Sequence, residues 1–375
     1  MRPLLFAVTT DLNYDQRMQR ICGSLAVHGY AVLLIGREWP DSQPLSPKPY
    51  KQHRLRCVFK KGKLFYLEYN LKLFLYLIQQ QAAVWCAIDL DTALPMWLRA
   101  RLSGQPFVYD AHELFTEVPE VVGRPVTKRI WQLVEKFIVP RAALAYTVGP
   151  ALAQWFVQQY GQPFAVVRNV SCLETAELPP TPTAAPTEGY ILYQGVLNEG
   201  RGLEALLDAM PQVTARLIIC GEGDLSVSLR ERARKLGLLA SGQVEFRGFV
   251  LPTELRQITR QASLGIMLLE NRGMSYYYSL ANKFFDYLHA GVPQLIVDFP
   301  EYRRLNDLYD VAEVVELTPD AIATAINRLL RDEPARYHQL ASNCRRARLE
   351  LNWQHEEQTL LALYATLLQP APIPA

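Results

Sequence analysis

Ser279-Leu280-Ala281-Asn282-Lys283-Phe-Phe-Asp286-Tyr287-Leu-His-Ala-Gly291-Val-Pro293 is the segment richest in chemistry. It reads as a helix capped by Ser279 and closed by Gly291. Lys283 and Asp286 are three residues apart and share a face. An ammonium there can meet a phosphate, and a carboxylate can accept both hydroxyls of a ribose; the plain alternative is a surface ion pair. Upstream, Tyr190–Gln194 runs as an apolar strand into Gly195-Val196-Leu-Asn198-Glu-Gly200-Arg201-Gly202 and then a helix. Glycines let the backbone approach a ligand, a helix start offers N–H groups to an anion, and Arg201 adds charge suited to a diphosphate. Cys220-Gly221-Glu222-Gly223-Asp224 repeats the strand, glycine turn, helix pattern, with Asp224 as a possible N-cap. Phe246-Arg247-Gly248-Phe249 offers a loop to a nucleobase edge. No GxGxxG and no GxxxxGK[ST] occurs, so neither the dehydrogenase fingerprint nor the Walker loop is supported.

In the first half, Asp110-Ala-His112-Glu113 stands just past the apolar strand Phe107–Tyr109, and Asp89-Leu-Asp91 follows another. A histidine beside acids at a strand end can bind a sugar hydroxyl or assist a departing phosphate. Asp15 and Arg17 open the first helix at the same rim.

These residues need a scaffold. Leu4–Val8, Ala31–Ile35, Val84–Ala87, Phe107–Tyr109, Leu144–Val148 and Phe164–Val167 read as strands separated by helices. The pattern restarts with Tyr190–Gln194, Leu217–Cys220, Val244–Phe246, Leu264–Leu268 and Leu295–Val297. Such alternation predicts parallel, doubly wound sheets. The Pro/Thr/Ala-rich stretch Leu178–Thr187 reads as a linker. The expected organisation is an N-terminal domain over 1–170, a linker over 171–189, a second domain over 190–350, and a final helix within 351–375 that returns to the first domain. Two such domains place a ligand cleft at their C-terminal strand edges.

The chain has 375 residues and a net charge of only +2, which argues against a dedicated nucleic-acid binder. Residues 1–170 hold 20 Lys and Arg against 12 Asp and Glu, so the first half is basic. Arg54, Arg56, Lys60, Lys61 and Lys63 precede the apolar helix Leu64–Ile78. That arrangement could dock on an anionic membrane, or be a core helix after a solvated loop. Six scattered cysteines point to a reducing, cytoplasmic compartment, with the inner membrane face as an option. The start reads as a buried strand, not a signal peptide, and no charge-free apolar run is long enough to span a bilayer.

Taken together, the motifs resemble the retaining glycosyltransferases of the GT-B fold in the "glycosyl transferases group 1" set. Asp89-Leu-Asp91-Thr is similar to its "hDldt" segment and Tyr109–Phe115 to "yDaHElf". Gly195–Gly202 resembles "GRLxxxKG", and Asn282–Pro293 resembles "nKxxEYlaaGvP". The resemblance implies two facing Rossmann-like domains and transfer of a sugar, with retention, from a UDP- or GDP-type donor. The acceptor would be a glycan or a lipid-linked glycan, in surface polysaccharide or glycolipid assembly. It implies donor contacts at Gly195, Asn198, Arg201, Gly221, Gly223, Gly248, Phe249, Ser279, Leu280, Asn282, Lys283 and Asp286. It implies sugar or acceptor contacts at Asp15, Arg17, Asp89, Asp110, His112, Glu113 and Tyr278, with His112, Arg201 and Lys283 in catalysis. No metal and no cofactor is required, because a donor phosphate takes the acceptor proton. Two positions depart from the pattern: Val196 replaces an arginine, and Tyr278 replaces an acid. They leave room for two other readings, a non-catalytic relative or a nucleotide-sugar epimerase of the same fold.

Overall fold

The computed structural model describes residues 2–174 and 189–369. The stretch Leu178–Thr187, read above as a linker, lies outside them. The chain divides into two units: residues up to Asn169 together with those from Gln354 onward, and Val170–Trp353.

In the first unit the strands are β1 (Leu4–Ala7), β2 (Val32–Glu38), β3 (Lys51–Arg56), β4 (Val84–Ile88), β5 (Phe107–Ala111), β6 (Leu144–Thr147) and β7 (Ala165–Val166). They form one sheet in the order β3-β2-β1-β4-β5-β6-β7, and every pairing is parallel. The helices are α1 (Gln16–Val27), α2 (Gly62–Ile78), α3 (Ala93–Ser103), the single turn α4 (Pro119–Val122), α5 (Pro125–Ile138) and α6 (Pro150–Tyr160). The central strands β1, β4 and β5 are apolar nearly throughout because helices cover both of their faces. Edge strand β3, Lys-Gln-His-Arg-Leu-Arg, was not foreseen, since an exposed edge needs no apolar run.

The second unit repeats the plan with β8 (Tyr190–Gln194), β9 (Arg216–Cys220), β10 (Val244–Gly248), β11 (Ala262–Met267), β12 (Gln294–Ile296) and β13 (Ala312–Val314). Their order is β10-β9-β8-β11-β12-β13, again all parallel. Its helices are α7 (Leu203–Ala209), α8 (Ser226–Lys235), α9 (Pro252–Gln261), α10 (Met274–Tyr277), α11 (Asn282–Ala290), α12 (Pro300–Tyr309), α13 (Pro319–Asn327) and α14 (Pro334–Ala347). The last helix, α15 (Trp353–Leu368), packs Tyr364 in the first unit, where its hydroxyl lies 3.3 Å from that of Tyr146. Glu356 of α15 accepts from both the amide and the guanidinium of Arg168.

Both sheets therefore reverse direction once, between β1 and β4 and between β8 and β11. Ligands of open α/β sheets bind outside the carboxyl ends of strands at such a point. The loops after β8 and β9 approach each other there. The Gly195 amide donates to Cys220 O at 2.9 Å, and the Gly221 amide to Gly248 O at 2.7 Å. Gly221 has φ +145°, and a Cβ on it would stand 1.9 Å from Gly195 O. Gly221→Ala is therefore expected to destabilise the second unit by about 2 kcal/mol or more. Urea unfolding followed by circular dichroism measures this; an unchanged midpoint would contradict the close approach.

Candidate functional site

In the second unit, β8 delivers Gly195 to the switch point, and Arg201 follows on the loop that leads into α7. Arg201 sets its guanidinium 4.8 Å over the Tyr276 ring, and its Nε is buried with no hydrogen-bond partner. No ion pair to an acid is found for it among the described residues. Lys283, in the first turn of α11, is only 7 % exposed. Its Nζ also lacks a hydrogen-bond partner and lies 4.0 Å above the Tyr193 ring. The same Nζ is 3.9 Å from where a Cβ on Gly195 would be, so the backbone of the glycine loop is its neighbour. Burial, reinforced by the charge of Arg201, holds the Lys283 ammonium well below its ordinary pKa. A guanidinium and a buried amine whose charge is suppressed thus lie beside one loop, and no ion pair to an acid is found for either among the described residues. A buried unpaired charge is costly, and a bound anion relieves it.

Helix α11 begins at Asn282, later than expected, and its N-cap is Ala281 with no capping side chain. Ser279 does not cap it, because the Ser279 hydroxyl donates back to Tyr276 O at 2.7 Å, closing the α10 turn. The Ala281 amide donates to the Tyr302 hydroxyl at 3.0 Å. Asn282 is exposed at the helix start, whereas the Leu280 side chain belongs to the core. Asp286 is half-buried, and its two oxygens already accept from Ser171 Oγ at 2.8 Å and Gln194 Nε2 at 3.0 Å. Gln194 is fixed in turn by the Thr259 hydroxyl. These donors orient the carboxylate. Asn198 Oδ1 accepts the Asp224 amide, joining the two glycine loops. Asp224 is not the cap of α8, whose N-cap is Leu225. Gly223 packs its Cα against Leu197 and Asn198, Gly248 ends β10, and Phe249 projects into solvent. In the run Tyr276–Tyr278, Tyr276 holds Arg201, Tyr277 packs on Phe299, and Tyr278 meets Tyr277 edge-on. Ser171, Tyr193, Gln194 and Tyr302 were not singled out from sequence. Only Gln194 carried a signal, as the last strand residue before the switch-point glycine.

In the first unit, Arg17 and Asp110 are not at a rim. Arg17 Nη2 donates to Asp110 Oδ1 at 2.8 Å and Nη1 to Val167 O at 2.8 Å, and both side chains are sealed from solvent. They hold each other, whereas His112 beside them is only partly buried. Its Nε2 lies 3.2 Å from Asp110 Oδ2, and its amide donates to Asp89 Oδ1 at 2.8 Å. Asp89 adopts φ +55°, the left-handed region, which aims its carboxylate back at the His112 segment. Burial opposes protonation of His112, but Asp110 and Asp89 outweigh it and raise its pKa. Asp110 stays ionised against the cost of burial because Arg17 and His112 stabilise its charge. Burial raises the pKa of Asp89. Asp91, which accepts from Thr9 Oγ1 at 2.5 Å across the switch point, is pushed up by burial to about 6. Asp15 caps α1 by accepting the Met18 amide at 3.0 Å, and Glu113 is exposed.

Away from this cluster, burial pushes Glu135 up to about 7. Raised acids hold protons in the folded chain that the unfolded chain has lost above about pH 4. The stability these acids contribute is therefore greatest below about pH 4 and is lost as pH rises through the folded values, about 6 for Asp91 and about 7 for Glu135. The urea midpoint is expected to drop between about pH 4.5 and 7, with Glu135 contributing on the order of 3 kcal/mol. Glu135→Gln should flatten that drop.

Two doubly wound units of the same strand order, each with its polar cluster at the switch point, define the GT-B architecture of glycosyltransferases. Residues 188–332 match the family model for glycosyl transferases group 1, and residues 16–170 match that for glycosyltransferase family 4. The two matches fall one on each unit and support a group 1 glycosyltransferase. Sucrose-phosphate synthase from Thermosynechococcus elongatus superposes with a TM-score of 0.79 at 17% identity, covering 98% of this chain and 99% of that one. Anabaena HepE, solved in complex with UDP and glucose, gives 0.73 at 14%, covering 98% and 100%. WaaG, a glycosyltransferase involved in lipopolysaccharide biosynthesis, gives 0.72 at 14%, covering 96% and 99%. An uncharacterized glycosyltransferase of Methanocaldococcus jannaschii is 27% identical over 154 residues, which is 39% of this chain and 36% of that protein. The match thus spans about a third of the length of that relative. No helix among the described residues is long and apolar enough to cross a membrane.

Proposed function

We propose that this chain transfers a sugar, with retention at its anomeric carbon, from a nucleoside-diphosphate sugar to a hydroxyl of a glycan or glycolipid acceptor. The observation that carries it is the pair Arg201 and Lys283, two basic side chains beside the Gly195 loop with no acid partner among the described residues. A diphosphate is the anion of matching charge and size. As the bond from the sugar carbon to the β-phosphate oxygen breaks, its electron pair goes to the diphosphate. The acceptor oxygen bonds to the same carbon, and its proton passes to the departing phosphate. Arg201 and Lys283 stabilise the charge that develops on the leaving group. Asp286, held by Ser171 and Gln194, takes the ribose hydroxyls. His112, set by Asp110 and Asp89, binds a sugar hydroxyl, while Arg17 fixes Asp110. Val196 and Tyr278 reshape the donor pocket in this reading. The complex of HepE with UDP and glucose supports the donor class, and the name of WaaG supports a surface-glycan acceptor.

Slow hydrolysis of the donor, followed by proton NMR, tests the stereochemistry. An α-linked donor should first release the α-sugar; initial release of the β-sugar would overturn retention.

A further inference from the structure

Helix α2 carries two apolar stripes. Phe65, Tyr69, Leu73 and Leu77 are buried, as a helix packed on a sheet requires. Leu64, Leu67, Leu71, Leu75 and Ile78 form a second stripe, and each is more than half exposed. A helix facing water would carry polar residues there. Its neighbours share the anomaly: Leu94, Leu98 and Leu102 stand exposed along α3, and Val126, Ile130 and Leu133 along α5. Between the three helices lies a groove of about 900 Å³, floored by Tyr66, Phe74, Trp97 and Trp131 and edged by Lys63 and Arg124. Scattered single exposed leucines need no explanation, but a contiguous face of this extent marks a contact surface.

Apart from Glu117, which is paired with Lys128 of α5, the exposed charges around it among the described side chains are positive. The only acids within α2, α3 and α5 are Glu68 and Glu135. Glu68 accepts from the amides of Val58 and Phe59 and from Lys72, and Glu135 is 1 % exposed. Lys60, Lys61, Lys63, Arg101, Arg129 and Lys136 are exposed at the ends and flanks of the face. Of the five bases noted before α2, Arg54 is paired with Asp11 and Arg56 with Glu38, so the three lysines carry the free charge. A second copy of the chain would set this positive rim against itself. From this charge complementarity we infer that the α2, α3 and α5 face docks the first unit on an anionic lipid bilayer, with the groove taking one hydrocarbon chain. Apolar burial and attraction to anionic headgroups act together in such contacts.

Flotation of the full chain with vesicles tests this without nucleotide or sugar, so the outcome is independent of the transfer reading. The chain should float with vesicles of equal parts phosphatidylglycerol and phosphatidylcholine, and far less with phosphatidylcholine alone. Leu67→Glu combined with Ile130→Glu should weaken flotation at least about tenfold, with the melting temperature kept because both positions are exposed. Lys61→Glu with Lys63→Glu should reduce the preference for anionic vesicles. Acyl chains brominated near the headgroup should quench part of the tryptophan fluorescence, less so in Trp131→Phe. Absence of flotation on anionic vesicles would overturn the inference, as would flotation indifferent to Leu67 and Ile130. A dimer in sedimentation analysis that the same leucine and isoleucine changes dissolve would also overturn it, naming a second copy as the occupant.

Discussion

Arg201→Ala is expected to lower kcat/KM for the preferred donor by about 10²- to 10³-fold, the range for losing one charged donor to a developing oxyanion. The guanidinium is held in place by the Tyr276 ring and makes no ion pair among the described residues, so its charge is available to a ligand. The loss should fall toward the lower end of that range, because Arg201 also suppresses protonation of its neighbour Lys283. Removing Arg201 lets Lys283 charge more readily and take over part of the work. Lys283→Met alone should then cost a comparable factor, and the double variant more than either, without the two effects adding. Initial rates over a range of donor concentrations measure these factors. Rates within twofold of the parent in the double variant would remove both residues from the donor site.

Arg17→Met is expected to destabilise the first unit by about 3–5 kcal/mol, the usual result of breaking a buried ion pair at one partner. Asp110 would be left with no surface exposed and no guanidinium, and Val167 O would lose a donor. For a unit of this size the melting temperature should fall by on the order of 10 °C. Arg17→Met with Asp110→Leu should recover much of the stability, since two apolar groups of similar volume replace the pair. It should not recover activity, because His112 loses the carboxylate that sets its Nε2. A stable and fully active double variant would show that the pair acts only in packing.

The parallel sheets were legible because central strands such as Val84–Ile88 and Leu217–Cys220 are buried on both faces and therefore apolar without interruption. Two of the four edge strands escaped the same reasoning: half of the β3 residues are charged, and β13 is three residues long. The switch-point glycines could be read locally, since strand, glycine and helix lie in one short segment. The side chains that orient the site could not. Ser171 reaches Asp286 over a separation of 115 residues, and Arg17 reaches Asp110 over 93. No local spacing encodes such pairs. Arg17 looked like a rim residue because a long cationic side chain in a first helical turn is usually solvated, and only its distant partner draws it inward. Ser279 matched the composition of an N-cap, yet its hydroxyl closes the preceding turn instead.

The central claim is that Arg201, Lys283 and Asp286 form a site for a nucleoside diphosphate. Its most direct test is the melting temperature of the whole chain in the presence of UDP, GDP or ADP at millimolar concentration. A ligand that binds only the folded state raises that temperature by mass action, by about 2.7 kcal/mol of stability at a hundredfold excess over Kd. The expected result is a clear rise with one of the three, abolished in Arg201→Ala and strongly reduced in Asp286→Ala. No rise with any of them, from a chain that melts cooperatively, would contradict the claim and favour a non-catalytic member of the family.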